Sequence, residues 1–266
     1  MTINASEINK LRQQTGVGMM ECKKALIESN GDFEIAIKNL RKRGQKLLND
    51  RYEKESNEGV TLSMISNDGK RGAIILLSCE TDFVSKNIEF IKSAEEFLYI
   101  ALDKNISSID DLRLITKDKI FELVSKIGEK IDITKYEFVT SESIFIYNHP
   151  GYKLSSVVGF NLYIEDSVGK DIAMQVAAMN PISIDKNDID PKLIEIEIEI
   201  SKEQSRREGK SDDLLDKIAQ GKLNKFYTER TLMNQSFIKD DKKTIRQFIN
   251  DVSEDIEITL FKRIQI

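Results

Sequence analysis

The sequence predicts an α+β protein in which a bundle of three helices precedes a core of two similar hairpin-plus-helix subdomains. Helix caps and glycines divide the first part of the chain into three short helical segments. Strand-length apolar runs joined by turn residues follow, and this order occurs twice. We expect the bundle at residues 1–45, a charged linker at 46–57, and the two core subdomains at 58–141 and 142–266.

The bundle is predicted from its helix boundaries. Asn4 and Glu7 match the spacing of a capping box, and Asp32 is a suitable N-cap. Gly16, Gly31 and Gly44 are placed to end helices. The predicted helices cover residues 4–15, 19–29 and 32–44. A bundle of this size is near the lower limit for independent folding, so we expect it to dock onto another surface.

The first core subdomain is predicted from a hairpin. Strand-like runs at Gly59–Ser66 and Arg71–Cys79 are separated by Asn67–Lys70, whose Asp-Gly pair suits the positive φ angles of a tight turn. Helical patterns follow at Lys86–Leu102 and Lys117–Lys130.

The second core subdomain repeats this order. Strand-like runs at Ser143–Tyr147 and Lys153–Ile164 flank the turn Asn148–Gly151. A helix is predicted at Val168–Ala178, and Ile256–Ile266 is predicted to be a final strand. The order of elements, more than residue identity, indicates two related subdomains.

A projecting arm of two antiparallel helices is predicted at about residues 190–229. Isoleucines alternate with glutamates from Ile194 to Ile200, which is typical of a strand, but Asp190-Pro191 is a helix start signal and a polar helical run follows. Gly209-Lys210 breaks this helix, and a second helix is predicted at Asp212–Gln220.

Composition excludes several classes of protein. The net charge of −5 argues against direct nucleic-acid binding, and no apolar run approaches the 18 residues of a membrane span. The N-terminus lacks the basic and apolar regions of a secretory signal, so we expect a cytoplasmic protein. Cys22 and Cys79 stand far apart without a CxxC partner, which indicates reduced thiols.

Searches for catalytic motifs give no enzyme signature. His149 is the one histidine, and it lies in a predicted turn. The sequence contains no GxSxG, phosphate-binding or HExxH motif, so we expect no active site, cofactor or metal. An enzyme built on carboxylates and lysines remains a weaker alternative.

Two segments carry a specific resemblance. Residues 11–26 (LRQQTGVGMMECKKAL) and 79–84 (CETDFV) resemble the two signatures of elongation factor Ts, in the family's order and separation. Residues 172–181 and 221–227 resemble the family's C-terminal core helix and helical arm. Position 175 is Gln, where many members have His. The likeness spans nearly the whole chain.

The resemblance implies a set of partner-binding residues. In this family the bundle resembles the ubiquitin-associated fold and docks onto the nucleotide domain of the GTPase elongation factor Tu, and an Asp-Phe pair acts as a wedge. The residues implied to contact Tu are Arg12, Thr15, Gly16, Met19, Met20, Thr81, Asp82, Phe83, Val84 and His149. A histidine in a turn is equally consistent with a structural role.

Each segment also has a purely structural interpretation. Thr15-Gly16 is a helix stop, and Met19-Met20 is suited to pack into the bundle core. Thr81 or Asp82 is a suitable cap for the next helix, and Phe83 is suited to a core position.

The resemblance implies a guanine-nucleotide exchange factor that promotes GDP release from Tu during translation elongation, in a heterodimer or a higher complex with Tu. The main alternative is an adaptor that binds a peptide or a ubiquitin-like partner without affecting nucleotides.

Overall fold

The computed structural model describes residues 3–51 and 54–266, apart from the side chains of residues 212 and 213. Its architecture is α+β, as predicted, with helices around small antiparallel sheets. The helices are α1 (Ala5–Thr15), α2 (Met19–Glu28), α3 (Phe33–Asp50), α4 (Asp82–Ser85), α5 (Ile88–Asp103), α6 (Ile109–Ile127), α7 (Asp166–Met179), α8 (Pro191–Arg207), α9 (Asp212–Arg230) and α10 (Ile245–Val252). The strands are β1 (Glu58–Ile65), β2 (Arg71–Cys79), β3 (Asp132–Thr140), β4 (Ser143–Asn148), β5 (Leu154–Phe160), β6 (Ser236–Phe237), β7 (Asp240–Thr244) and β8 (Ile258–Gln265).

Helices α1 to α3 form the predicted bundle around a small apolar core that includes Leu11, Leu26 and Leu40. The capping box at Asn4 and Glu7 is present, with both reciprocal hydrogen bonds formed. Local side-chain caps therefore mark the starts of α1 and, through Asp32, of α3, whereas α2 begins after Gly18 without one.

The predicted end of α3 at Gly44 is wrong, because the helix continues to Asp50. Gly44 faces α6, where an added Cβ would overlap the carbonyl oxygen of Phe121 and the hydroxyl of Ser125. This glycine serves close packing between helices rather than a helix stop. The first residues of the predicted linker, 46–57, are consequently helical, while Tyr52 and Glu53 lie outside the described residues.

The first sheet has the strand order β1-β2-β3 and is antiparallel throughout. Its β1–β2 hairpin was predicted, whereas β3 was not. Helices α5 and α6 cover one face through a core that includes Phe90, Phe97 and Leu98. Helix α6 begins two turns before the predicted Lys117 and ends before Gly128, whose φ of +84° closes it.

The second sheet repeats this arrangement with the order β4-β5-β8. Helix α7 packs against it through Ile172 and Val176, which share a core with Val158 and Phe160. In both sheets the strand that follows the helical segment pairs with the second strand of the hairpin. The β6–β7 hairpin and α10, which the sequence did not predict, complete this subdomain.

Helices α8 and α9 form the predicted antiparallel arm, although α9 continues past the predicted Gln220 to Arg230. Two backbone hydrogen bonds close the base of the arm, from Ile182 N to Arg230 O (2.8 Å) and from Leu232 N to Ser183 O (3.0 Å). Within the described ranges, every helix is too short or too polar to cross a bilayer.

Candidate functional site

The segment after β2 places an aromatic ring in solvent. Helix α4 is a single turn that carries Phe83, whose side chain is 84% exposed. The neighbouring Val84 packs against the first core, and Ser85 is buried. The interpretation of Phe83 as a core residue is therefore wrong. An exposed ring on an anchored turn is suited to contact another molecule.

Glu129 holds the chain that leads into α4. Its carboxylate accepts hydrogen bonds from the backbone N–H groups of Glu80 (3.0 Å) and Thr81 (3.1 Å) and from the Thr81 hydroxyl (2.6 Å). Thr81 occupies the N-cap position of α4 but forms no side-chain capping bond, so the capping interpretation of this residue is wrong. Its hydroxyl instead ties α4 to the chain that follows α6.

Glu80 makes the reciprocal connection. Its carboxylate accepts a hydrogen bond from the backbone N–H of Lys130 (2.7 Å) and pairs with Arg51 at 2.7 and 2.8 Å. Burial opposes ionisation of Glu80, but the Lys130 and Arg51 donors outweigh it and hold the pKa of this carboxyl below its ordinary value. A charged glutamate therefore joins the end of β2 to the end of α3.

Asp82 is partly exposed and pairs with Lys86 at 2.7 Å, one helical turn away. The hydrogen bond from the Lys86 ammonium holds the pKa of Asp82 below its ordinary value, so the carboxylate is charged near neutrality. Exposed ion pairs of this kind are weak. Asp82 is therefore able to exchange Lys86 for another partner at small cost.

The first signature segment lies at the α1–α2 turn. Thr15 donates its hydroxyl hydrogen to Leu11 O (2.8 Å), and Gly16 adopts a φ of +70° that ends α1. These contacts agree with the helix-stop interpretation. Met19 and Met20 are 46% and 65% exposed, so their predicted packing in the bundle core is wrong.

The C-terminal end of α6 brings the two signature segments together. The Lys126 side chain lies against Gly16, and its ammonium pairs with Glu89 of α5 at 2.6 Å. Glu129, three residues later, holds Thr81. Arg12 is exposed near the end of α1 and extends the polar surface beside Gly16.

His149 belongs to neither signature segment and lies at the exposed turn between β4 and β5. Its Nδ1 is 2.9 Å from the Tyr147 hydroxyl. Lys153, in the same turn, donates to Gly59 O (3.2 Å) and Ser85 Oγ (3.4 Å), which connects this turn to the buried side of α4.

Gln175 is fully buried and has a structural role. Its amide donates to Gln235 Oε1 (3.2 Å) and Ser236 O (3.0 Å), and its oxygen accepts from Ile238 N (2.9 Å). The side chain therefore fixes the β6–β7 hairpin to α7. Within the part of the chain that the structure describes, no three carboxylate, imidazole or thiol groups converge to hold a metal ion.

Comparison with known proteins gives one consistent family. A family model described as Elongation factor TS matches residues 80–266, which begin at Glu80 of this site. The chain belongs to the elongation factor Ts family. It is 44% identical to elongation factor Ts of Cytophaga hutchinsonii and of Amoebophilus asiaticus, over all of this chain and 99% of each relative. Elongation factor Ts of Porphyromonas gingivalis is 42% identical over 99% of this chain and 98% of its own length.

As a member of the elongation factor Ts family, the protein is a translation elongation factor. Sequence reasoning selected the segment of Asp82 and Phe83 but missed Glu129, which holds it, and Lys126, which lies against Gly16 of the bundle. The one local signal for Glu129 is its position directly after Gly128, which ends α6. Carboxylates are common on protein surfaces, so this position alone does not indicate a functional residue.

Proposed function

We propose that this protein is a guanine-nucleotide exchange factor for elongation factor Tu, and that it promotes GDP release by placing Phe83 and Asp82 beside the Mg²⁺ and phosphate site. The observation that carries the proposal is the 84% exposure of Phe83 on a turn anchored by its neighbours. Transfer of an exposed hydrophobic ring from water into a partner's surface is favourable, so such a ring is suited to bind a partner.

The energetics of exchange require a difference in affinity. Burying a phenylalanine side chain contributes about 1.5–3 kcal/mol to binding. This contribution shifts Tu from its GDP-bound to its nucleotide-free state only if the nucleotide-free state alone has a space that accepts the ring. Each tenfold change in affinity corresponds to about 1.4 kcal/mol. If nucleotide-free Tu alone has a gap that accepts the ring, Phe83 by itself would lower the affinity of Tu for GDP by about 10–100-fold.

Asp82 and the more distant surfaces have complementary roles in this proposal. Asp82 would leave Lys86 and perturb the network that holds the Mg²⁺ ion, which GTPases fix with a Ser/Thr and an Asp. Arg12, Met19 and Met20 are exposed at the end of α1 and the start of α2, and would form a second contact area shaped by Thr15 and Gly16. His149 and Val84 would lie at the edge of the main contact.

No covalent chemistry is needed, so the protein would act without an active site or cofactor. Linkage requires a reciprocal effect: nucleotide that binds again lowers the affinity of Tu for this protein by the same factor by which this protein lowers the affinity of Tu for nucleotide. The heterodimer, or a higher complex with Tu, would then dissociate. The released protein would act on another Tu molecule in the cytoplasm.

The test measures release of a fluorescent GDP analogue from purified Tu, with and without substoichiometric amounts of this protein. We expect strong acceleration by the wild type and a reduction of about tenfold or more by Phe83→Ala, because the ring provides about 1.5–3 kcal/mol of differential binding. Tyr163→Ala is the matched control, since Tyr163 is also an exposed aromatic residue (79%) but lies after β5.

Equal loss in both variants would argue against a specific wedge. Unchanged release with the folded wild-type protein and a cognate Tu would refute the exchange function and favour the adaptor alternative.

A further inference from the structure

The carboxylate of Glu129 anchors the backbone of the chain that enters α4. Its two oxygens accept three hydrogen bonds, two from consecutive backbone N–H groups at Glu80 and Thr81 and one from the Thr81 hydroxyl. Glu129 is 48 residues away from Thr81 along the chain. The contact is therefore a tertiary one that the local sequence of the turn does not provide.

Helix α4 needs such an anchor because it is too short to hold itself. It has four residues, and isolated helices become stable only at about 12–15 residues. Val84 and Ser85 fix its inner side, but the orientation of the turn also depends on the backbone that enters it. The bonds to Glu129 fix that backbone two residues before Phe83.

We propose that Glu129 is a positioning residue for Phe83 in nucleotide exchange, acting through the backbone of Glu80 and Thr81 and not through contact with the partner. The inference rests on the exchange function proposed above. A side chain that is oriented before binding loses less freedom in the complex. When only a fraction of molecules holds the competent orientation, the apparent affinity falls by that fraction.

Two substitutions separate positioning from direct charge contact. In Glu129→Gln the charge is lost, but the amide oxygen still accepts both backbone N–H bonds and the amide nitrogen still reaches the Thr81 hydroxyl. In Glu129→Asp the charge is kept, but the shorter side chain cannot reach the same donors. Positioning predicts that the Gln variant stays within about threefold of wild type while the Asp variant is about tenfold slower, since the competent fraction then falls.

The experiment measures stimulated release of the fluorescent GDP analogue for the full-length protein, with thermal unfolding of each variant recorded alongside. Asp68→Glu is the control for a changed carboxylate length. Asp68 accepts bonds from Lys70 N (3.1 Å) and Arg71 (3.2 Å) in the turn at the opposite end of the β1–β2 hairpin. We expect its exchange activity to match wild type.

A double-mutant cycle completes the test. In a background that carries both Asp82→Asn and Phe83→Ala, Glu129→Asp should change the rate by less than about twofold, because a positioning effect then has neither wedge side chain left to act on. Additive losses would overturn the proposal, as would a slow Gln variant with a fast Asp variant. If Phe83→Ala itself has no effect, the wedge function fails. If Phe83→Ala is slow while Glu129→Asp equals wild type, only the positioning role fails.

Discussion

Gly44 of α3 lies directly against the carbonyl oxygen of Phe121 in α6, with no space for a Cβ between them. Ser125, one turn further along α6, donates its hydroxyl hydrogen to Leu40 O at 2.8 Å. The bundle is thus packed against the first core subdomain along α3, and this contact fixes the surface that carries Met19 and Met20 relative to α4.

Substitution of Gly44 should disrupt this packing. We expect Gly44→Ala to destabilise the protein, because overpacking costs about 1–3 kcal/mol and exceeds the gain of about 0.5–1 kcal/mol from replacing glycine in a helix. Urea unfolding and limited proteolysis near Arg51 measure the effect. Gly221→Ala is the matched control, since nothing lies within 4 Å of its added Cβ in α9, and it should be neutral or stabilising. The opposite order of stabilities would contradict the packing argument.

Loss of the Asp82 charge should impair exchange more than loss of its partner. We expect Asp82→Asn to slow stimulated GDP release by about tenfold, which corresponds to about 1.4 kcal/mol of lost differential binding. Lys86→Gln should leave the rate at or above wild type, because it frees the carboxylate from its 2.7 Å ion pair. A slow Lys86→Gln variant would show that the pair acts as a unit.

The Glu80 carboxylate should make stability depend on pH. Its pKa lies below the ordinary value of 4.5 in the folded state, so its stabilisation is complete above that pH and is lost as the pH falls through the folded-state pKa. Glu80→Gln should therefore be about 1 kcal/mol less stable than wild type at pH 7, and the difference should shrink as the pH falls below 4.5 and through the folded-state pKa. Urea midpoints measured from pH 7 into the acid range test the prediction, and a difference that does not shrink with falling pH would contradict it.

The two thiols should be unreactive in the native protein. Cys22 and Cys79 are fully buried, and burial together with the Glu129 carboxylate raises the pKa of Cys79 to about 12. Because the thiolate is the nucleophile, a thiol reagent at pH 8 should modify neither cysteine until urea is added, when both should react. Rapid labelling of the native protein would indicate that these cores open locally.

Gln175 should be important for stability because its buried amide makes three hydrogen bonds, to the buried Gln235 side chain and to the backbone of Ser236 and Ile238. We expect Gln175→Leu to cost about 1–3 kcal/mol, since a leucine leaves those groups without a hydrogen bond. Gln175→His should be milder, because a neutral imidazole retains one donor and one acceptor. Thermal unfolding of both variants makes the comparison, and equal stabilities would argue against the hydrogen-bonding role.

Local signals were enough to predict much of the fold. The Asp68-Gly69 turn predicted the first hairpin, and Gly69 has the required positive φ of +69°. Asp190-Pro191 correctly outweighed the strand-like alternation in α8 because a cap and a helix start act at the segment itself. The division of the chain into domains stays a prediction.

Features that depend on distant partners were not predicted. β3 is a strand because its polar sequence pairs with β2, and Gly44 continues a helix because α6 lies against it. The same holds for the site, where Phe83 stands in a recognisable segment but Glu129 reaches it from 48 residues away. No local pattern encodes such a contact.

The closed base of the helical arm has a consequence for how the protein folds. β5 must find β8 across a long stretch of chain, and about half of that stretch lies between the paired residues Ser183 and Thr231. If α8 and α9 associate first, the flexible loop between β5 and β8 is about half as long. The entropic cost of closing that loop is then lower by about 0.6 kcal/mol. The arm would then also hasten assembly of the sheet from which it projects.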